Sequence, residues 1–211
     1  MPTKSNTPPA ARTGSLAGQV LSLAGRQGLL RPRDLRAQGI PREYLRRLTR
    51  RGELERVGRG LYRLPEAQWG EYQTLAQVAK RIPDSVVCLL SALRFHNLTT
   101  QAPREVWIAL DNKARRPQAT DLPIRVVRFS GPALAQGQRT HRLDGVPVRI
   151  TTPAKTVADC FKYRNKIGLD VALEALREGW RERRFTQDEL WQMASVCRVT
   201  NVMRPYLEAI V

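Results

Sequence analysis

Nowhere in the 211 residues does an apolar run reach the length of about 18 that a membrane-spanning helix needs. The opening Met1-Pro2-Thr3-Lys4-Ser5 lacks the apolar middle segment of a secretory signal. No membrane partner is expected, and a cytoplasmic location is. Cysteine and histidine are scarce: Cys88, Cys160 and Cys197 are irregularly spaced, no Cys-x-x-Cys occurs, and only His96 and His141 accompany them. A disulfide framework or zinc knuckle would be short of partners, so three buried, inert thiols and no metal are expected. There is no Ser/His/Asp order, no Gly-rich phosphate loop and no His-Glu-x-x-His, so the chain is read as non-enzymatic and without a cofactor.

Acidic residues are the other shortage. Asp and Glu total 19 against 36 Lys and Arg, for a net charge of +17 and a pI near 11.0. Most of the basic residues are Arg, whose planar fork suits bidentate contacts to phosphate and guanine, which makes nucleic acid the first partner to consider. The excess is uneven: residues 1–63 carry +10 and residues 64–211 carry +7. With 42% hydrophobic residues the chain can bury a core, which excludes a disordered tail protein.

Residues 1–13 hold three prolines among small and polar residues and read as a disordered arm. From Ser15, Leu16, Val20, Leu23 and Ala24 recur at helical spacing, with a Ser cap before them and Gly28 after. A short helix follows, opened by Pro32, carrying Leu35 and Ala37, and ended by Gly39. Pro41 opens a third, in which Leu45 and Leu48 point inward, Tyr44 lies at the edge and Gly52 closes. Leu54, Val57, Leu61, Tyr62 and Leu64 then flank Gly58-Arg59-Gly60 in a hairpin pattern. Three helices and a hairpin in this order predict a winged helix-turn-helix over residues 14–66.

In that motif the second helix of the pair enters the major groove, and its exposed residues meet base edges. Here that helix is Pro41–Arg51. Arg42, Tyr44, Arg46 and Arg47 are candidates for base or near-base contacts, and Arg50 and Arg51 for phosphate. Arg56, Arg59 and Arg63 belong to the wing, where the glycines permit a turn tight enough to bring Arg59 to the minor groove or backbone. A merely solvated helix face is the plainer alternative.

From about Ala67 the pattern changes. Glu71–Lys80 and Val87–Leu98 predict helices, Val106–Leu110 and Ile124–Phe129 strands, and Asp144-Gly145 a hairpin between Thr140–Leu143 and Val146–Ile150. From Thr152 the chain returns to helix, in four segments reaching Val202–Ile210. The expected fold class is α+β: an N-terminal winged helix-turn-helix, then a mixed α+β domain over 67–211 with a helical tail.

By its motifs the chain resembles the AbiE-type (AbiEi) antitoxins of type IV toxin–antitoxin systems, known from abortive infection. The resemblance rests on Gly39-Ile40-Pro41 with Leu45-Arg46-Arg47-Leu48, on Gly52 through Tyr62, on Ser91-Ala92-Leu93-Arg94-Phe95-His96-Asn97-Leu98-Thr99, and on Thr152-Pro153-Ala154-Lys155-Thr156-Val157-Ala158-Asp159. It implies a transcriptional repressor that binds inverted repeats of double-stranded DNA in its own promoter. It also implies a C-terminal domain that counters a nucleotidyltransferase-like toxin without a stable complex between the two.

Two motifs carry plainer readings. His96 is expected to be a hydrogen bonder at a helix end, and Asp159 an ion-pair partner of Lys155 one turn earlier, worth a few tenths of a kcal/mol if exposed. Asp84 with Asp111-x-Lys113 mimics a metal-dependent nuclease, in which two carboxylates hold Mg²⁺ and the lysine helps activate water. Against it, Asp84 is expected in a turn between helices and Asp111–Pro117 reads as a basic loop. A DNA-binding adaptor acting only through protein contacts is the third alternative.

Overall fold

The computed structural model describes residues 14–68, 70–117 and 121–209. The arm expected at residues 1–13 lies outside the described residues. The chain divides into two compact units, Met1–Trp69 and Gly70–Val211.

The first unit begins with α1 (Leu16–Gln27), α2 (Pro32–Arg36) and α3 (Glu43–Arg50). Ser15 caps α1 by accepting the Gly18 amide at 3.0 Å. After α2 the Gly39 and Ile40 amides turn back to the carbonyls of Arg36 and Leu35, both at 3.0 Å. Gly39 sits at φ +68°, the left-handed conformation this closure demands and glycine adopts without a Cβ penalty. The closure tucks Ile40 beside Leu35 in one core with Val20, Leu23, Ala24, Leu30, Leu45, Leu48 and Leu54. Leu16 departs from expectation at 39% exposure: it is the first helical residue, and Ala17 packs on the core instead.

Strands β1 (Glu55–Gly58) and β2 (Leu61–Arg63) pair antiparallel, with Gly58 opposite Leu61 across the turn residues Arg59 and Gly60. A third stretch joins them. Leu30, in the link between α1 and α2, exchanges both backbone hydrogen bonds with Tyr62 at 2.8 and 3.0 Å. That pairing ties the hairpin to the helices.

The second unit is mixed α+β. Its elements are α4 (Gln73–Arg81), β3 (Val86–Val87), α5 (Leu89–Phe95), β4 (Val106–Asp111), β5 (Ile124–Phe129), α6 (Pro132–Ala135), β6 (Gln138–Leu143), β7 (Val146–Thr151), α7 (Pro153–Lys162), α8 (Arg164–Ile167), α9 (Leu169–Arg181), α10 (Gln187–Cys197) and α11 (Thr200–Glu208). The five strands are ordered β5-β4-β3-β7-β6. Pairs β4–β5 and β3–β7 are parallel; β3–β4 and β6–β7 are antiparallel. By alternation along the strands, Trp107, Ala109, Val127 and Phe129 face the main helical core with α5, α7, α9, α10 and α11. The opposite face, with Ile108, Val148 and Ile150, lies against α4.

The helix expected over 87–98 starts only at Leu89, because Val86 and Val87 form the central strand of the sheet. Two buried β-branched residues are too few to show a period, so the strand was hidden between helical patterns. Among the described residues no helix is long and apolar enough to cross a membrane.

Candidate nucleic-acid interface

Leu45 and Leu48 are the two buried residues of α3 and anchor it in the core. Arg42, Arg46, Arg47 and Arg50 are exposed, while Tyr44 and Thr49 are half-buried. Arg42, Arg46 and Arg50 follow one another at four-residue spacing, which puts them along one stripe of the helix. Among the described residues, no hydrogen bond or ion pair holds these three guanidinium groups. Like charges at that spacing cost a helix roughly 0.2–0.5 kcal/mol per pair, so the stripe does not exist for helix stability. Arg47 lies over the Tyr44 ring at 4.4 Å, a cation–π contact that narrows the rotamers open to the guanidinium. Thr49 turns inward and donates to the Leu45 carbonyl at 2.8 Å. Arg51, just past the helix, stands 3.8 Å from Glu53 and is more than half exposed.

On the hairpin, Arg59 occupies the turn and is exposed, and Arg56 donates to the Gly58 carbonyl at 3.3 Å while remaining exposed. Arg63 is different. It pairs with Glu55 directly across the strands at 2.9 Å, donates to the Ala67 carbonyl, and keeps only 11% of its side chain in water. This guanidinium is held within the unit and does not share the surface of the others. Its cross-strand partner Glu55, eight residues away, was the sequence signal for that outcome. Two further cations went unread: Arg33 and Arg36 on α2 are both exposed and lie three residues apart on the helix that precedes α3.

In the second unit the Thr152–Asp159 motif is structural, and more deeply so than an exposed pair would be. Lys155 and Asp159 are both fully buried, with Lys155 Nζ 2.6 Å from each carboxylate oxygen. Cys197 Sγ donates to Asp159 Oδ1 at 3.2 Å, and the ammonium rests 4.5 Å from the centre of the Phe129 ring. Burial raises the Asp159 carboxyl above its ordinary value, and the Lys155 charge opposes this. All three thiols are free and buried; burial pushes Cys88 and Cys160 well up and Cys197 up to about 12, which leaves them unreactive near neutrality. His96 follows α5, and its Nε2 lies 2.7 Å from the Thr151 carbonyl.

The nuclease residues are placed less unfavourably than the sequence suggested. Asp84 is exposed and leads into a strand, not a helix. The register Val86 to Ala109 brings Asp84 and Asp111 to the same end of adjacent antiparallel strands. Asp111 Oδ1 accepts the Lys113 amide at 2.8 Å, and Lys113 points its charge to solvent. Among the described residues no three His, Cys, Asp or Glu side chains gather as metal ligands would.

Residues 19–65 match the family model of a transcriptional regulator, the AbiEi antitoxin. The match runs from within α1 to just past β2; the motifs at 91–99 and 152–159 lie outside it. No curated protein matches the chain. Among solved structures, the crystal structure of the RV2827C protein from Mycobacterium tuberculosis is similar at 17% identity, with a TM-score of 0.48, covering 92% of this chain and 80% of that one.

Proposed function

We propose that this chain, whose residues 19–65 carry the AbiEi match, is a sequence-specific double-stranded DNA-binding repressor and the antitoxin of a type IV operon that autoregulates its promoter. The observation that carries the proposal is the exposed, unpartnered Arg42–Arg46–Arg50 stripe, which starts at the cap of α3 and runs along the helix, beside the Arg47–Tyr44 stack. The order helix, paired segment at Leu30, helix, helix and hairpin supports a winged helix-turn-helix. In such a domain α3 lies in the major groove and the Arg59 turn reaches the adjacent backbone or minor groove. Arg46 and Arg47, with Arg42 and Tyr44 beside them, read bases; Arg50, Arg51, Arg56 and Arg59 hold phosphates. Arg33 and Arg36 join the phosphate set, and Arg63 leaves it. The second unit carries the antitoxin activity, without catalysis of its own and without a stable complex with a nucleotidyltransferase-like toxin.

The test is binding of the full chain to a duplex from its own promoter and to a scrambled duplex, over a range of salt. With roughly 5–8 phosphates neutralised, log affinity should fall against log salt with a slope of about −4 to −7. A flat response, or equal affinity for the two duplexes, would refute the proposal. Co-expression with the toxin of the same operon tests the antitoxin part. A variant without Arg46, Arg47 and Arg50 should still rescue growth while losing repression.

One observation favours a second reading, a metal-dependent nuclease: the shared sheet end of Asp84 and Asp111. Cleavage of duplex DNA in Mg²⁺ or Mn²⁺ that Asp111→Ala abolishes would decide for it.

A further inference from the structure

The loop after β4 is basic, and its first residues, Asp111 to Ala114, are held in shape along the backbone. Asn112 donates its amide to the Phe129 carbonyl at 3.1 Å and Ala114 to the Asp111 carbonyl at 3.0 Å. The Asp111 carboxylate accepts the Lys113 amide at 2.8 Å. Arg128, on β5, donates to the carbonyls of Asp111 and Ala114, both at 2.8 Å, and its own carbonyl accepts from Tyr163 at 2.8 Å. One arginine is thus used to fasten the loop that displays three other cations.

Those three are Lys113, Arg115 and Arg116, all exposed. Among the described residues, none has a side-chain hydrogen bond or ion pair. Some cations of the same unit have acidic partners, as Arg81 has Asp121, Arg94 has Glu71 and Arg125 has Glu105; others, such as Arg104, Arg177 and Arg204, are exposed singly, whereas Lys113, Arg115 and Arg116 stand within four residues. From Asp111 to Pro117, Asp111 is the one carboxylate, and it is turned onto the backbone. Three like charges within four residues repel each other, and the hydrogen bonds hold the backbone from Asp111 to Ala114, the stretch that carries Lys113 and leads directly into Arg115 and Arg116. The same fixity lowers the entropy lost when they meet a regular array of negative charge.

We propose that Lys113, Arg115 and Arg116 form a second phosphate-contacting surface for double-stranded DNA. It is separate from α3 and reads no sequence. This rests on the DNA-binding reading of the first unit. The partner is chosen by charge complementarity: closely spaced, unpartnered cations fit a polyphosphate backbone, and no large apolar side chain lies among the described residues 112–117 to anchor a protein interface.

The experiment uses the full chain and fluorescence anisotropy with its promoter duplex, a scrambled duplex and a single-stranded RNA of equal length, from low to moderate salt. Three proteins are compared: wild type; the triple variant Lys113→Gln, Arg115→Gln, Arg116→Gln; and a charge-matched control, Arg104→Gln, Arg177→Gln, Arg204→Gln, built on exposed residues of the same unit. For two or three lost phosphate contacts, the loop variant should show a slope about 2–3 smaller on both duplexes, and affinity down roughly 50- to 500-fold near 0.1 M salt. The ratio of promoter to scrambled affinity and the melting temperature should not change. The control should keep at least most of the wild-type slope. An unchanged slope in the loop variant, an equal loss in the control, or a loss on RNA alone would overturn the proposal. A flat slope in the wild type would instead refute the DNA-binding reading itself.

Discussion

Replacing Asp159 with Ala should be among the most damaging single changes available in the second unit. Lys155 and Asp159 are both at 0% exposure, and the ammonium has both carboxylate oxygens at 2.6 Å. Asp159→Ala removes those contacts and the Cys197 bond, leaving a buried positive charge with the Phe129 ring as its remaining described contact. Breaking a buried pair by removing one partner costs about 3–5 kcal/mol, far more than the few tenths of an exposed helix pair. For a chain of this length that lowers the melting temperature by roughly 6–20 °C. The assay is urea unfolding of the full chain followed by circular dichroism, with calorimetry as a second probe. The double variant Lys155→Met, Asp159→Val separates charge from packing. Without an unpaired charge it should regain more than half of the loss, since apolar replacements of buried pairs are often neutral or stabilising. A single-variant loss below about 1 kcal/mol would refute the reasoning, because an unpaired buried charge cannot be that cheap. A double variant as unstable as the single one would refute it too, by assigning the loss to packing.

Other perturbations follow from the same geometry. Burial holds His96 below its ordinary 6.5, against the raising effect of its Thr151 hydrogen bond. Between the folded and unfolded values the unfolded chain binds more protons, so the His96 contribution is intact above about pH 6.5 and is lost as pH falls through the folded value. His96→Gln should flatten the acid limb of the stability profile between pH 7 and 5; an unchanged limb would exclude His96 as its source. Gly137 sits at φ +67°, and an added Cβ would stand 2.6 Å from Met193 Sδ and 2.7 Å from Lys155 Cβ. Gly137→Ala should therefore cost roughly 2–5 kcal/mol from backbone strain and overpacking together. Gly52, at φ +74° with nothing within 4 Å of a built Cβ, should cost only about 1–2 kcal/mol as Ala. Equal losses in urea would mean that the space around Gly137 relaxes.

The first unit was largely legible in the sequence, because its signals are local. Ser15 caps a helix, Gly39 and Gly52 end two others, and Leu45 and Leu48 recur at helical spacing. The Leu30–Tyr62 pairing was not legible, since a single bridge between residues 32 apart leaves no period. Strand β3 was hidden for the same reason. The spacing of Lys155 and Asp159 was visible while their burial was not: charges four apart on a helix normally mark a solvated face. What overrides that rule is α7 itself, buried at every position from Ala154 to Phe161 and packed by helices α5, α9, α10 and α11 as well as by the sheet. In the candidate interface the exposed arginines of α3 were readable from one helical wheel. Arg63 was misplaced because its outcome depended on a partner across a hairpin.

The most direct test of DNA reading by α3 is the ratio of promoter to scrambled affinity in Arg46→Ala and Arg47→Ala, measured beside Arg50→Ala at one fixed salt concentration. If α3 reads bases, the first two variants lose about 1–3 kcal/mol of discrimination for each lost bidentate contact. Arg50→Ala should weaken both duplexes alike and leave the ratio where it was. An equal loss on both duplexes for all three variants would contradict base reading by this helix.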